Sequence, residues 1–225
     1  PENIPQELTA IPQWIGYQLV PKPNGKTDKI PKNPQSGSNA SVTAPDTWSD
    51  FMTALDFAYH AKTVDGVAII LSEQAGLVVI DLDDCVLPDG NLQPAAQQII
   101  SELDSYSEIS PSGRGVHIFV FGKLPPGRRK SQQQGIEMYE TERFMTVTGN
   151  HLPSTPKCVH ERTAALQALH THVFNTAQTN ETDTPQAPLE CDQQLWQTMF
   201  ASSSGTKLHK LFSGDISVSR HDASQ

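Results

Sequence analysis

Two aspartates two residues apart, Asp81 and Asp83, follow the apolar run Gly76-Leu77-Val78-Val79-Ile80. The run is rich in β-branched residues and free of breakers, and it predicts a buried strand. Side chains alternate along a strand, so Asp81 and Asp83 face one side while Leu82 points into the core. Neighbouring carboxylates repel one another and lose hydration when the strand is buried. A divalent cation removes both penalties, and hard oxygen donors of this kind suit Mg²⁺ or Mn²⁺. The plain alternative is a strand end whose aspartates cap a turn or a helix.

A second group of chemically useful residues is Ser110-Pro111-Ser112-Gly113-Arg114-Gly115-Val116-His117. Its glycines let backbone approach a ligand closely, and Ser112 and Arg114 offer donors. His117 lies one strand step past the turn, where its ring can face the same cavity. Donors of this sort suit a phosphate chain, although many Gly-rich turns are only tight hairpins. The third group is Glu137, in the short apolar strand pattern Gly135-Ile136-Glu137-Met138-Tyr139. Alone it reads as a residue on a solvated face. Beside Asp81 and Asp83 it completes a carboxylate set able to hold two cations about 4 Å apart for phosphoryl transfer.

The elements that must position these residues alternate between strand and helix patterns. Gln13 to Val20 predicts a strand, and Lys22 to Ser41, dense in Pro, Gly, Asn and Ser, predicts loop or irregular strand. Pro45-Asp46-Thr47-Trp48 predicts a helix start, with Phe51, Leu55 and Tyr59 along one face. Val64–Leu71 and Leu77–Leu82 predict consecutive strands of a β-hairpin across Ser72 to Gly76. Pro94 opens a helix ending near Asp104. Strands are predicted at Tyr106 to Ser110, Val116 to Phe121, Ile136 to Tyr139 and Phe144 to Thr148, and a helix at Glu161 to Phe174. The mixture predicts an α+β fold with a largely antiparallel sheet.

At 225 residues the chain can hold one sizeable domain with an appendage. No stretch approaches the roughly 20 apolar residues of a membrane span, so no membrane partner is expected. Cys85, Cys158 and Cys191 show no disulfide or zinc spacing, which suits a reducing, cytoplasmic setting. The net charge of −9 argues against nucleic acid only weakly, because the basic residues cluster. Lys22, Lys26, Lys29 and Lys32 form one group; Lys123, Arg128, Arg129 and Lys130 form another.

In this order, the three groups resemble the archaeo-eukaryotic primase superfamily, specifically the primase-polymerase domains of phages, plasmids and mobile elements. Asp81-Leu82-Asp83 matches that family's Asp-x-Asp strand end. Ser112 to His117 matches its Ser-x-His-like turn in a longer form, and Glu137 matches its later acidic residue. Flanking stretches are similar too: Pro12-Gln13-Trp14, Lys29-Ile30-Pro31-Lys32-Asn33-Pro34, Tyr106-Ser107-Glu108-Ile109-Ser110 and Arg143-Phe144-Met145-Thr146-Val147-Thr148-Gly149-Asn150. Asp84 departs from the pattern, and a strand cap is its simplest role. The resemblance implies template-directed nucleotidyl transfer from dNTP or NTP on a single-stranded DNA template and primer, with two Mg²⁺ or Mn²⁺ ions. Asp81, Asp83 and Glu137 would be the catalytic metal ligands, and Ser112, Arg114 and His117 would hold the triphosphate. It also implies an RNA-recognition-like antiparallel catalytic sheet with an N-terminal α/β subdomain. A helicase domain or partner is a further expectation of the same kind.

Lys29 and Lys32 are candidate DNA or nucleotide contacts in a Pro-stiffened loop, and Arg128, Arg129 and Lys130 could clamp primer or template backbone. Arg143 could reach the nucleotide, and Tyr139, sharing a face with Glu137, is assigned to core packing. Trp14, Trp48 and Trp196 are assigned to the core as well. Two other functions compete: a non-catalytic DNA- or nucleotide-binding module that recruits a helicase, and a metal-dependent nuclease. The first is disfavoured by the presence of all three acids, the second by the lack of a Lys within the acidic strands. The catalytic domain is expected at 1–175, a polar linker at 176–188, and the beginning of a helical accessory module at 189–225. Its ending suggests truncation within a longer protein, so the chain as given is expected to extend primers but to initiate them poorly.

Overall fold

The computed structural model describes residues 2–179. In chain order these form α1 (Gln6–Thr9), β1 (Trp14–Pro21), β2 (Thr27–Lys32), α2 (Phe51–His60), β3 (Gly66–Leu71) and β4 (Leu77–Leu82). There follow α3 (Pro94–Leu103), β5 (Ser107–Ile109), β6 (Val116–Phe121), β7 (Lys130–Ser131), β8 (Ile136–Tyr139), β9 (Arg143–Val147) and α4 (Thr163–Thr179). The fold is α+β, and every strand pairing within the sheets is antiparallel. There are two sheets rather than one. The smaller has the order β2-β1-β3-β9 and the larger β5-β6-β4-β8-β7.

The expected hairpin between β3 and β4 does not form. β3 pairs with β1 and β9, whereas β4 pairs with β6 and β8. Both strands are apolar on both faces, which suits the centre of a sheet, and a central strand needs a partner on each edge. A short 3₁₀ turn at Glu73–Ala75, ended by Gly76 at φ 58°, carries the chain from one sheet to the other. The loop expected at Lys22 to Ser41 contains a regular strand, β2, paired along β1 from Gly16–Lys32 to Pro21–Thr27.

The helix expected from Pro45 also starts later. Pro45–Thr47 is a single 3₁₀ turn, and α2 begins after Asp50, whose carboxylate accepts from the Thr53 amide at 2.9 Å. A capping Asp of this kind contributes about 1 kcal/mol, which places the start where the sequence has Asp50 rather than Pro45. Phe51 and Ala54 are buried on this helix, but Tyr59 is 85% exposed and off the packed face. At the other end of the chain α4 runs to Thr179, beyond the expected domain boundary. The rest of the expected linker, and the accessory module with Trp196, lie outside the described residues.

Alternation along β4 divides the core. Val78, Ile80 and Leu82 join Ile100 and Leu103 of α3 and Leu166 and Leu169 of α4 in one cluster. Leu77 and Val79 face the opposite way, toward Val67, Ile69 and Leu71 of β3 and Met145 and Val147 of β9. The larger sheet is therefore covered by helices on one face and meets the smaller sheet on the other. Each fully buried Leu, Ile or Val stabilises by about 1.5–3 kcal/mol, so both contacts are firmly held. Asp81 continues the Leu77–Val79 side, at the point where the apolar contact between sheets gives way to polar groups.

Gly115 seats the turn before β6 against the end of β4. A Cβ at this position would lie 2.7 Å from the Leu82 carbonyl oxygen, a backbone atom that cannot swing aside. We expect Gly115→Ala to cost about 1–3 kcal/mol, as overpacking does, read as a lower midpoint in urea denaturation. An unchanged midpoint would mean that the turn is not seated on β4.

Candidate active site

Five ionisable residues stand in register on one face of the larger sheet. Glu108 of β5 is opposite His117 of β6, and His117 is opposite Asp81 of β4. Asp81 is opposite Glu137 of β8, and Glu137 is opposite Lys130 of β7. The row beside it is apolar or aromatic, with Phe119, Val79 and Tyr139 in register. Directly opposed side chains on one face are close neighbours, so the row acts as one electrostatic unit.

His117 is almost fully buried. Its Nδ1 lies 3.0 Å from the Thr146 carbonyl oxygen, and a carbonyl only accepts, so Nδ1 carries a proton. Nε2 then faces Asp81, with 3.7 Å to Oδ1. On the other side of Asp81, both oxygens of Glu137 meet the Lys130 ammonium, at 3.1 and 3.0 Å, and the Tyr139 hydroxyl donates to Glu137 as well. The Tyr139 ring is flanked by the Lys130 and Arg143 cations, each 5.4 Å from its centroid. A pocket of about 230 Å³ opens here, lined by Lys130, Met138, Tyr139 and Arg143 among others.

Burial pushes the Asp81 carboxyl above the ordinary carboxylate range; His117 and Lys29 oppose the shift, and Asp83 and Glu137 reinforce it. Asp83 is also raised, by desolvation first and then by repulsion from Glu137 and Asp84. Both aspartates thus feel the Glu137 charge. Lys29 approaches from the smaller sheet, its ammonium 3.5 Å from the Thr146 hydroxyl. Among the described residues no three His, Cys, Asp or Glu side chains converge into a finished metal-ligand set. The donor chemistry nevertheless fits a hard cation: oxygen ligands only, partly desolvated and mutually repelling, with Lys and His already gathered around them.

The turn before β6 holds the expected phosphate-binding residues at the mouth of the site. Ser112 Oγ accepts from the Arg114 amide at 3.2 Å and lies 3.1 Å from Ser110 Oγ. Arg114 Nε meets Asp84 at 3.0 Å, with both side chains more than two-thirds exposed (73% and 72%). Such an exposed pair stabilises little, which leaves the guanidinium available to a stronger anion. Asp84 itself adopts φ 47° and turns the chain away from the strand end, as a cap does.

The structure corrects several of the sequence expectations. Tyr139 is not simply a core residue, since its hydroxyl is bonded to Glu137. Lysines do stand beside the acids, Lys130 from β7 and Lys29 from β2, although none lies within the acidic strands. Arg129 donates to Glu140 at 2.9 Å and to the Pro125 carbonyl at 2.6 Å. Its neighbour Arg128 is exposed. Lys32, at the end of β2, bonds Asn39 Oδ1 at 3.0 Å in the segment that follows. Trp14 is fully buried as expected, whereas Trp48 is half-buried and donates to the Ser41 carbonyl.

Glu108 was missed. It is fully buried and accepts from the Thr148 and Gly149 amides, at 2.8 and 2.9 Å, and from the Tyr106 hydroxyl, at 2.9 Å. The available signal was a charged residue inside a short, otherwise apolar or small-residue strand pattern.

Over 147 residues, 63% of its length, the chain is 33% identical to a DNA primase-polymerase of Nitratiruptor phage NrS-1. The chain is related to a phage-type primase-polymerase. This agrees with the ordered motifs at Asp81, Ser112 and Glu137. The match spans 20% of that relative's length. No protein-family model matches the chain. Among the described residues, no helix is long and apolar enough to cross a membrane.

The raised Asp81 carboxyl gives a stability test. A carboxyl whose folded pKa is raised favours the folded state at low pH, and that contribution is lost as pH rises through the folded value. In chelator-treated protein at neutral pH, Asp81→Asn should therefore raise the melting temperature, by about 2–4 °C for each kcal/mol of penalty removed. The advantage should shrink as pH falls through the raised folded value and be gone below about 4, the ordinary carboxylate value. A variant less stable than wild type at neutral pH would contradict this.

Proposed function

We propose that this chain performs template-directed nucleotidyl transfer, as primase and DNA polymerase, in the crevice between its two sheets. The observation that carries the proposal is that Asp81 stands opposite Glu137 on adjacent strands with Asp83 just past the end of β4, both aspartates being raised by burial and by the Glu137 charge. The architecture is compatible with a primase-type catalytic core, in which an antiparallel sheet packs against an N-terminal α/β unit. Kinship with a protein named DNA primase-polymerase points the same way.

In the proposed reaction a primer 3′-oxygen attacks the α-phosphorus of a nucleoside triphosphate. The bond to the pyrophosphate oxygen breaks, and the hydroxyl proton leaves to solvent. Asp81, Asp83 and Glu137 would hold Mg²⁺ or Mn²⁺, which lowers the pKa of the attacking hydroxyl and neutralises the triphosphate. Ser112 and Arg114 donate to the phosphates from the exposed turn, and His117 presents Nε2 from beside Asp81. Arg143 and Tyr139 lie on the Glu137 side, where the sugar or the phosphates can be met. Lys29 contributes positive charge from the smaller sheet, and Arg128 extends it toward a single-stranded template.

One observation favours a nuclease as a second reading. Lys130 and Lys29 stand near the acids, where an ammonium could orient a water. Extension of a labelled primer on a single-stranded template, with Mn²⁺ or Mg²⁺ and each nucleotide set, separates the two. We expect metal-dependent extension by wild type, reduced about 10³-fold in Asp81→Ala/Asp83→Ala, equivalent to several kcal/mol of lost charge stabilisation. Shortening of the primer by wild type, without extension, would replace this proposal with the nuclease. Binding without either reaction would leave a recruiting module.

A further inference from the structure

We infer that Glu108 is a positioning residue for His117, and so for the nucleotide-facing side of the crevice; this rests on the nucleotidyl-transfer reading above. Glu108 has 0% exposure, and a buried carboxylate is costly unless donors surround it. Here the Thr148 amide, the Gly149 amide and the Tyr106 hydroxyl supply them. Packing alone would need no charge at this position.

The charge acts on His117 in two ways. Glu108 ties down the backbone just past β9, and Thr146, two residues before Thr148, offers its carbonyl to Nδ1. Glu108 Oε1 also lies 3.8 Å from Nδ1, too far for a hydrogen bond, and its charge favours the ring orientation that keeps the Nδ1 edge on this side, toward the Thr146 carbonyl. With Nδ1 held on the protein side, Nε2 is the ring atom left facing Asp81 and the crevice. The arrangement parallels the way carboxylates and carbonyls behind a ligating histidine set its tautomer and ring orientation. Tyr106 extends it inward: its ring stacks on His151 at 5.3 Å, and burial holds its hydroxyl protonated by raising its pKa far above the ordinary value.

The test is the ¹⁵N two-bond correlation spectrum of histidine-labelled protein, with the His117 signal assigned by its loss in His117→Gln. In wild type we expect a protonated Nδ1. In Glu108→Gln the amide can accept from one backbone N–H but turns an NH₂ group toward the other. We expect loss of the fixed Nδ1–H pattern and a rise of about tenfold or more in nucleotide KM, with a smaller change in kcat. Tyr106→Phe, which keeps both backbone bonds to Glu108, should shift the spectrum in the same direction by less. A wild-type His117 protonated only at Nε2 would overturn the inference without any variant. So would a Glu108→Gln protein that melts earlier yet keeps the wild-type spectrum and KM, since that is a structural role alone. Absence of primer extension by wild type would count against the nucleotidyl-transfer reading, while the spectra would still decide the role of Glu108.

Discussion

The rest of the site depends on one row of ionisable side chains crossing the larger sheet: Glu108, His117, Asp81, Glu137 and Lys130. Carboxylates so close together on a partly buried surface repel, and each must be balanced by a neighbour. His117 and Lys130 supply part of that balance within the row, and Lys29 adds to it from the smaller sheet. The unbalanced part falls on Asp81 and Asp83, whose carboxyls are raised. A hard divalent cation would relieve it there.

The row also joins the two sheets. β9 is the outer strand of the smaller sheet, and an outer strand presents unpaired backbone groups. Here its Thr146 carbonyl is taken by His117, and the amides that follow, Thr148 and Gly149, are taken by Glu108. Beside these polar contacts the apolar cluster of Val79, Phe119, Ile69 and Met145 closes the sheets together. Burial supplies the stability of the interface, and the polar pairs fix its register. The geometry around Asp81 is therefore coupled to the packing of the smaller sheet, from which the Lys29 side chain also acts on the acids.

Much of this was legible beforehand. Alternation in Leu77 to Leu82 placed Leu82 inward and Asp81 on the other side, as the structure has them, whereas Asp83 lies in the turn past the strand; the ordered motifs pointed to the phage-type relationship. The strand at Val116–Phe121 and the helix from Pro94 to Leu103 follow their local patterns closely. The β3–β4 hairpin did not form, because local sequence shows that both strands are buried but not that each requires two partners. Glu108 escaped notice because a buried charge is recognisable only when its donors are known, and those come from residues about 40 positions away.

The sequence by itself determined most of the strands, the helices from Pro94 and over Glu161 to Phe174, and which residue types alternate to which face, because these depend on neighbours along the chain. It also placed Asp81 on the face opposite Leu82 and donors in the turn before His117. Only the tertiary structure decided that residues 108, 117, 81, 137 and 130 stand side by side, since register between distant strands is set by the packing of whole faces. The pairing of Lys130 with Glu137, the closure of Glu108 on the end of β9 and the engagement of Arg129 by Glu140 all follow from that register. Spacing along one strand shows which face a carboxylate occupies; what lies opposite it is decided by the other strands.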